Sequence, residues 1–139
     1  MESHKVEVRV RYEETDQMGV VYYANYFVYF EIGRTEFLRS MGLPYGELEK
    51  ANVFLAVFDA YCKYKAPARY DDLLVIKTWV SRLKHARVEM SYEIWRENET
   101  QLVVEGHTTL ACLNEKGRPQ LIPDNLLKLL KSVYKEGQI

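Results

Sequence analysis

Apolar and polar residues alternate with a period of two along several stretches of the chain, the pattern of strands that bury one face. Val6, Val8, Val10 and Tyr12 stand opposite Lys5, Glu7, Arg9 and Arg11, which predicts a half-buried first strand. From Phe54 to Lys65, the residues Phe54, Ala56, Phe58, Ala60, Cys62 and Tyr64 fall on one face, with Asp59, Lys63 and Lys65 on the other. Leu73 to Arg82 is rich in β-branched and aromatic residues and follows turn chemistry around Pro67 and the Asp71-Asp72 pair. Ala86, Val88, Met90, Tyr92 and Ile94 alternate with Arg87, Glu89, Ser91 and Glu93. Glu97 to Gln101 then turns the chain into a fifth strand carrying Leu102, Val104, Thr108, Leu110 and Cys112, closed by Asn114-Glu115-Lys116-Gly117.

Two segments break this rhythm. Between about Ala24 and Met41 there is no alternation and no proline, and Gly42 followed by Pro44 supplies a helix stop. Tyr22 to Ile32 is apolar nearly all round, which predicts a central helix covered by the sheet on several sides. A second helix, from about Asp124 to Lys135, carries Leu126, Leu129, Leu130 and Val133 on one stripe beside Lys128, Lys131 and Lys135, as a surface helix does. The expected class is α+β: an antiparallel sheet of about five strands wrapped around one helix, with a C-terminal helix outside.

Composition narrows the roles open to such a fold. A length of 139 residues suits one domain, 1–139. With 47% hydrophobic and 28% charged residues the chain can close a core and keep a solvated surface, which argues against disorder. A net charge of −1 supplies no field for a nucleic acid partner. Cys62 and Cys112 lack CxxC or Cys/His spacing, so reduced thiols in a cytoplasmic setting are expected rather than a disulfide or metal framework. Met1 to Arg11 has no apolar core of a secretion signal, and Val20 to Phe30 is too short to span a bilayer, so no membrane insertion is expected.

Chemistry is expected where polar residues interrupt the core pattern, most sharply at Thr15-Asp16-Gln17-Met18-Gly19, just before the long helix. Unpaired N–H groups at a helix start can polarise a carbonyl or hold an oxyanion, and Asp16 would stand beside them. By residue type alone Asp16 is either such a carboxylate or a turn-capping aspartate. The stretch YEETDQMGVVYYANYFVYFEIGRTEFLRSMG, from Tyr12 to Gly42, resembles the signature of the 4-hydroxybenzoyl-CoA thioesterase family of hot-dog proteins, and especially the Tol–Pal-associated bacterial acyl-CoA thioesterases. The matching residues are Tyr12, Thr15-Asp16, Gly19-Val20-Val21-Tyr22, Ala24-Asn25-Tyr26, Phe30-Glu31, Arg34 and Glu36, and the likeness continues to Gly117-Arg118-Pro119 and Ile122-Pro123.

The resemblance implies a hot-dog fold and an acyl-CoA thioesterase with Asp16 as nucleophile or general base, the two roles being open. It places the backbone amide of Tyr23 on the thioester oxygen. Many Tol–Pal-associated members carry histidine where this chain has Tyr23, so a histidine-assisted mechanism is not expected, and neither His4 nor His107 is placed by the motif. Glu31 is the rival carboxylate, although a charge pair with Arg34 or a subunit contact accounts for it. Because coenzyme A carries phosphates, the cationic stretch Arg82, Lys84, His85 and Arg87 is the candidate contact, with Arg82, Lys84 and Arg87 foremost. No cofactor or metal is implied. The family pairs its subunits, so a homodimer or homotetramer is expected. A non-catalytic acyl-CoA-binding or regulatory module is the alternative, since a fold alone does not specify activity.

Overall fold

The computed structural model describes residues 3–134. Five strands, β1 (His4–Arg9), β2 (Phe54–Tyr64), β3 (Leu73–Leu83), β4 (Arg87–Arg96) and β5 (Leu102–Leu113), form one antiparallel sheet in the order β1-β3-β4-β5-β2. Three helices accompany it: α1 (Asn25–Ser40), α2 (Tyr45–Lys50) and α3 (Asp124–Val133). Lys135, which the sequence pattern puts at the end of the last helix, lies outside the described residues. The short α2 has no counterpart in the sequence expectation.

Antiparallel neighbours directly opposite each other point to the same face, and the register therefore tells which residues meet α1. Ile76, Thr78 and Val80 of β3 pair with Ile94, Tyr92 and Met90 of β4, and all six are fully or almost fully buried. Helix α1 lies across this inner face and joins β1 at one edge to β2 at the other. It buries Tyr26, Tyr29, Phe30, Gly33, Phe37 and Leu38. Each fully buried large side chain contributes roughly 1.5–3 kcal/mol, so this one face outweighs any propensity difference along the helix. Phe30 stacks flat on Tyr92, with centroids 4.4 Å apart and planes 8° from parallel. Leu126 and Leu130 of α3 close the core beside β3.

Three expectations need correction. The first strand ends at Arg9, and Tyr12 is 78% exposed. Val10 exchanges backbone hydrogen bonds with Asp71 and Asp72, after which residues 12–14 coil into a 3₁₀ turn. Secondly, the β2 face set is divided by a bulge between Val57 and Asp59. Ala60, Cys62 and Tyr64 oppose the inward Thr108, Gly106 and Val104 as expected, but before the bulge it is Leu55 and Val57 that oppose Cys112 and Leu110. One extra residue moves Phe54, Ala56 and Phe58 off the inner face. Thirdly, α1 is covered on one side only within this chain: Val28 is 49% exposed, Glu31 and Arg39 face solvent, and Tyr22 and Tyr23 precede the helix rather than forming its apolar start.

The seating of α1 depends on Gly33. A Cβ built there would stand 2.6 Å from Thr78 Oγ1 and 2.7 Å from Ile76 Cγ2, so the helix touches the sheet with no room for a side chain. In an exposed helix, Gly→Ala gains about 1 kcal/mol of propensity, whereas crowding a packed core costs about 1–3 kcal/mol. Crowding should prevail: Gly33→Ala is expected to lower the urea midpoint with an unchanged m-value, and a raised midpoint would contradict the close seating.

Candidate active site

Residues 14–22, between the 3₁₀ turn and α1, form a small hairpin. The Tyr22 N–H donates to the Glu14 carbonyl at 2.9 Å and the Asp16 N–H to the Val20 carbonyl at 2.9 Å, with Thr15 bridging Val21. Gly19 closes the tip. Its N–H donates to the Asp16 carbonyl at 2.9 Å, and its φ of +78° lies in the left-handed region that favours glycine. The Asp16 carboxylate also shapes this turn, since its Oδ1 accepts the Met18 N–H at 2.8 Å. Oδ2 accepts no hydrogen bond among the described residues. Asp16 is thus both a turn aspartate and a half-buried carboxylate with one oxygen uncommitted.

The loop between β2 and β3 supports the hairpin from the other side. The Val21 N–H donates to the Ala68 carbonyl at 2.8 Å, and Val20 bridges Arg69. That loop is pinned in turn by Asp72, which accepts the Arg69 N–H at 2.9 Å and the Arg96 guanidinium at 2.5 Å. Arg96 also donates to the Pro67 carbonyl. Charge-assisted bonds of this kind are about twice as strong as neutral ones, so the loop under the hairpin is a firm base.

Helix α1 opens onto this hairpin with no side-chain cap. The N–H groups of Asn25, Tyr26 and Phe27 turn back onto Tyr22, Tyr23 and Ala24. Those of Tyr23 and Ala24 have no acceptor among the described residues, and are the orphan donors a helix start leaves. The Tyr23 carbonyl is held by the Tyr64 hydroxyl at 3.2 Å, so β2 helps fix the Tyr23 peptide. The Tyr23 side chain is 59% exposed, and its ring lies 4.8 Å from that of Tyr22.

The other groups around Asp16 are held in their neutral forms. Burial pushes the phenols of Tyr26 and Tyr64 up to about 12 and the Cys62 thiol up to about 11. The Tyr22 phenol is raised by its hydrogen bond with Tyr23 and, to a smaller degree, by the charge of Asp16. At neutral pH these phenols donate hydrogen bonds and the thiol stays protonated. Of the carboxylates at this end of the sheet, Asp72 is engaged by Arg96 and Glu14 by Tyr29 and Arg11, and Asp16 is the one at the hairpin tip.

The remaining predicted residues lie elsewhere. Glu31 is exposed and accepts from the Thr35 hydroxyl at 3.4 Å. The expected Glu31–Arg34 charge pair is absent: Arg34 turns inward to the hydroxyls of Tyr92 and Tyr45, because the interior offers it acceptors there. His4 tilts against Phe37, and His107 stacks on Tyr61 on the outer sheet face, both far from any nucleophile arrangement. Arg82, Lys84 and Arg87 do come together, around an open outer-face cavity of about 240 Å³ shared with Phe58, Asp59, Glu89 and Thr109. The Arg87 guanidinium lies 4.3 Å over the Phe58 ring. Arg87 is level with Ala111 of β5, whereas Tyr64 beside the Asp16 site is level with Val104. Those seven residues of strand span roughly 23 Å at about 3.3 Å each. The basic cluster and Asp16 therefore occupy opposite ends of one chain's sheet. No three His, Cys, Asp or Glu side chains gather to hold a metal ion among the described residues, and no described helix is long and apolar enough to cross a membrane.

Sequence reasoning passed over Glu14 and Tyr64, which hold the hairpin and the Tyr23 peptide. The only sequence signal for Glu14 is its place two residues before Asp16.

Comparison with known proteins gives a consistent picture. A family profile described as the thioesterase superfamily matches residues 18–103. Acyl-CoA thioester hydrolase YbgC of Shigella flexneri is 33% identical over 125 residues, covering 89% of this chain and 92% of its own. Acyl-CoA thioesterase YbgC of Haemophilus influenzae is 35% identical over 118 residues, covering 84% of this chain and 85% of its own. Among solved structures, the DHNA-CoA thioesterase from Staphylococcus aureus superposes with a TM-score of 0.90 at 30% identity, covering 96% of this chain and 91% of that one.

Proposed function

The chain belongs to the thioesterase superfamily and has the hot-dog fold of its thioesterase relatives, and on that premise we propose that it hydrolyses acyl-CoA thioesters with Asp16 as the reacting carboxylate. The observation that carries this reading is the uncommitted Asp16 Oδ2 on a hairpin whose return arm leads directly into the two acceptor-free N–H groups of Tyr23 and Ala24. Hydrolysis needs a group that attacks or activates water and donors for the oxygen that becomes negative. In the general-base route, Asp16 takes a proton from water as the water oxygen attacks the carbonyl carbon. The Tyr23 N–H holds the oxyanion, and collapse expels the CoA thiolate, which is protonated on release. In the nucleophilic route, Oδ2 itself attacks, the thiolate leaves, and water then hydrolyses the mixed anhydride. Residues 1–139 act as one domain in either route, and the reduced thiols of Cys62 and Cys112 suit a cytoplasmic setting.

The phosphate role of Arg82, Lys84 and Arg87 joins this reading through a second copy of the chain. Strand β2 is an edge with Val57, Phe58, Tyr61 and Tyr64 each about half exposed, which is a surface for pairing. A two-fold axis across β2 runs the two strands in opposite directions and brings one copy's basic end toward the other copy's Asp16 end. The nucleotide of a CoA bound at one Asp16 would then meet the second copy's cations, whereas its own chain's cations lie roughly 23 Å away along the sheet.

Three outcomes test the proposal. Asp16→Asn should keep the fold and leave KM little changed while lowering kcat by about 10²–10⁴-fold, the range for a lost acid–base group; near wild-type turnover in Asp16→Asn with loss in Glu31→Gln would move the assignment to the helix glutamate. Arg82→Ala and Arg87→Ala should raise KM for acyl-CoA far more than for a pantetheine thioester without the nucleotide, and equal effects on both substrates would refute the phosphate contact. Sedimentation should give at least a dimer at micromolar concentration. A fully active monomer would remove the shared site.

A further inference from the structure

We propose that Glu14 is the positioning residue of this site: its carboxylate, anchored on the buried Tyr29 hydroxyl, sets where Asp16 stands relative to the free N–H groups at the start of α1. The inference rests on the Asp16 reading above.

Asp16 and the oxyanion donors sit on different elements, the hairpin tip and the helix start. Glu14 is where those elements are joined. Its Oε1 accepts two hydrogen bonds, from the Arg11 N–H at 2.8 Å and from the Tyr29 hydroxyl at 2.9 Å. Its backbone carbonyl accepts two more, from the Tyr22 N–H at 2.9 Å and from Asn25 Nδ2 at 2.9 Å. The four donors come from the entry to the 3₁₀ turn, the return arm of the hairpin, the first residue of α1 and a residue one turn further along. Tyr29 has no exposed surface. Burial, and next its bond to Glu14, raise its phenol far above the ordinary value, so it stays protonated and donates to the carboxylate. A hydroxyl locked in the core is a fixed reference for the hairpin.

The reaction needs that tie because a misplacement of about 1 Å can cost on the order of 10²-fold in rate. Both side-chain bonds fall on Oε1 and lead to Arg11 and Tyr29, away from the reacting atoms, which makes Glu14 a positioning group rather than a catalytic one. The requirement is then for an acceptor oxygen, with no need for the charge. Glutamine offers an amide oxygen at the same place, able to take both bonds through its two lone pairs.

Steady-state kinetics of the full chain on an acyl-CoA, taken well below the melting temperature of each variant, tests this. Glu14→Leu is expected to lower kcat by roughly 10²-fold with KM nearly unchanged, and Tyr29→Phe to lower it by about tenfold. The double variant should be no slower than Glu14→Leu, since the two changes remove one shared interaction. Glu14→Gln should restore kcat to within about threefold of the wild type. If Glu14→Gln were as slow as Glu14→Leu, charge rather than position would be required and the proposal would fail. Wild-type kcat in Tyr29→Phe would also overturn it, and that variant decides the matter should Glu14→Leu not fold. Asp16→Asn measured alongside separates the two readings. An inactive Asp16→Asn with fully active Glu14→Leu and Tyr29→Phe would sink the positioning role alone, whereas an active Asp16→Asn would sink both.

Discussion

The close contact of α1 with the inner face of the sheet is the constraint on which the rest of the structure depends. A helix that touches β3 at Gly33 and stacks Phe30 on Tyr92 has no freedom to slide along the sheet or rise from it. Its start is thereby brought out above the end of β2, where Tyr64 can hold the Tyr23 carbonyl. The same seating carries Tyr29 into the core at the place where Glu14 reaches it. A helix packed less tightly would leave its N-terminal donors in no definite relation to the Asp16 hairpin.

The site itself is an assembly of short-range order on a long-range frame. The hairpin tip is shaped locally by Gly19 and by the Asp16 carboxylate capping Met18. Its orientation comes from three separate supports: Glu14 to α1, Val21 to Ala68, and the Asp72–Arg96 pair beneath the loop that bears Ala68. Burial keeps the phenols of Tyr26 and Tyr64 and the Cys62 thiol neutral, while Asp72 is paired with Arg96 and Glu14 is tied to Tyr29, which leaves Asp16 as the carboxylate of the hairpin tip with an oxygen to spare.

The other end of the sheet carries the cationic cavity, on the opposite face. The bulge at Phe58 belongs to this half of the molecule, because it takes Phe58 off the inner face and puts its ring under the Arg87 guanidinium. It also leaves the outer half of β2 with aromatic side chains at an unpaired edge. A division of labour between two copies follows from this placement more naturally than one chain reaching both ends.

What the sequence by itself determined is whatever repeats locally. Four alternating stretches and one run rich in β-branched and aromatic residues became five strands, the unbroken run after Ala24 became the long helix, the leucine stripe became the terminal helix, and the polar break at Asp16 became the loop ahead of a helix start. These are properties of a residue and its near neighbours, governed by the periods of strand and helix. Tertiary structure alone decided the rest. The face that each half of β2 presents depends on a bulge set by pairing with β5, so alternation placed Phe58 wrongly. Arg34 turned to the Tyr92 and Tyr45 hydroxyls rather than to Glu31 because the docking of the helix brought those acceptors to it. Glu14 gained its role from Tyr29, fifteen residues on, through the docking of a helix. Arg82, Lys84 and Arg87 were legible as a cluster but not as one remote from Asp16, since spacing along a chain carries no information about which end of a sheet a residue reaches.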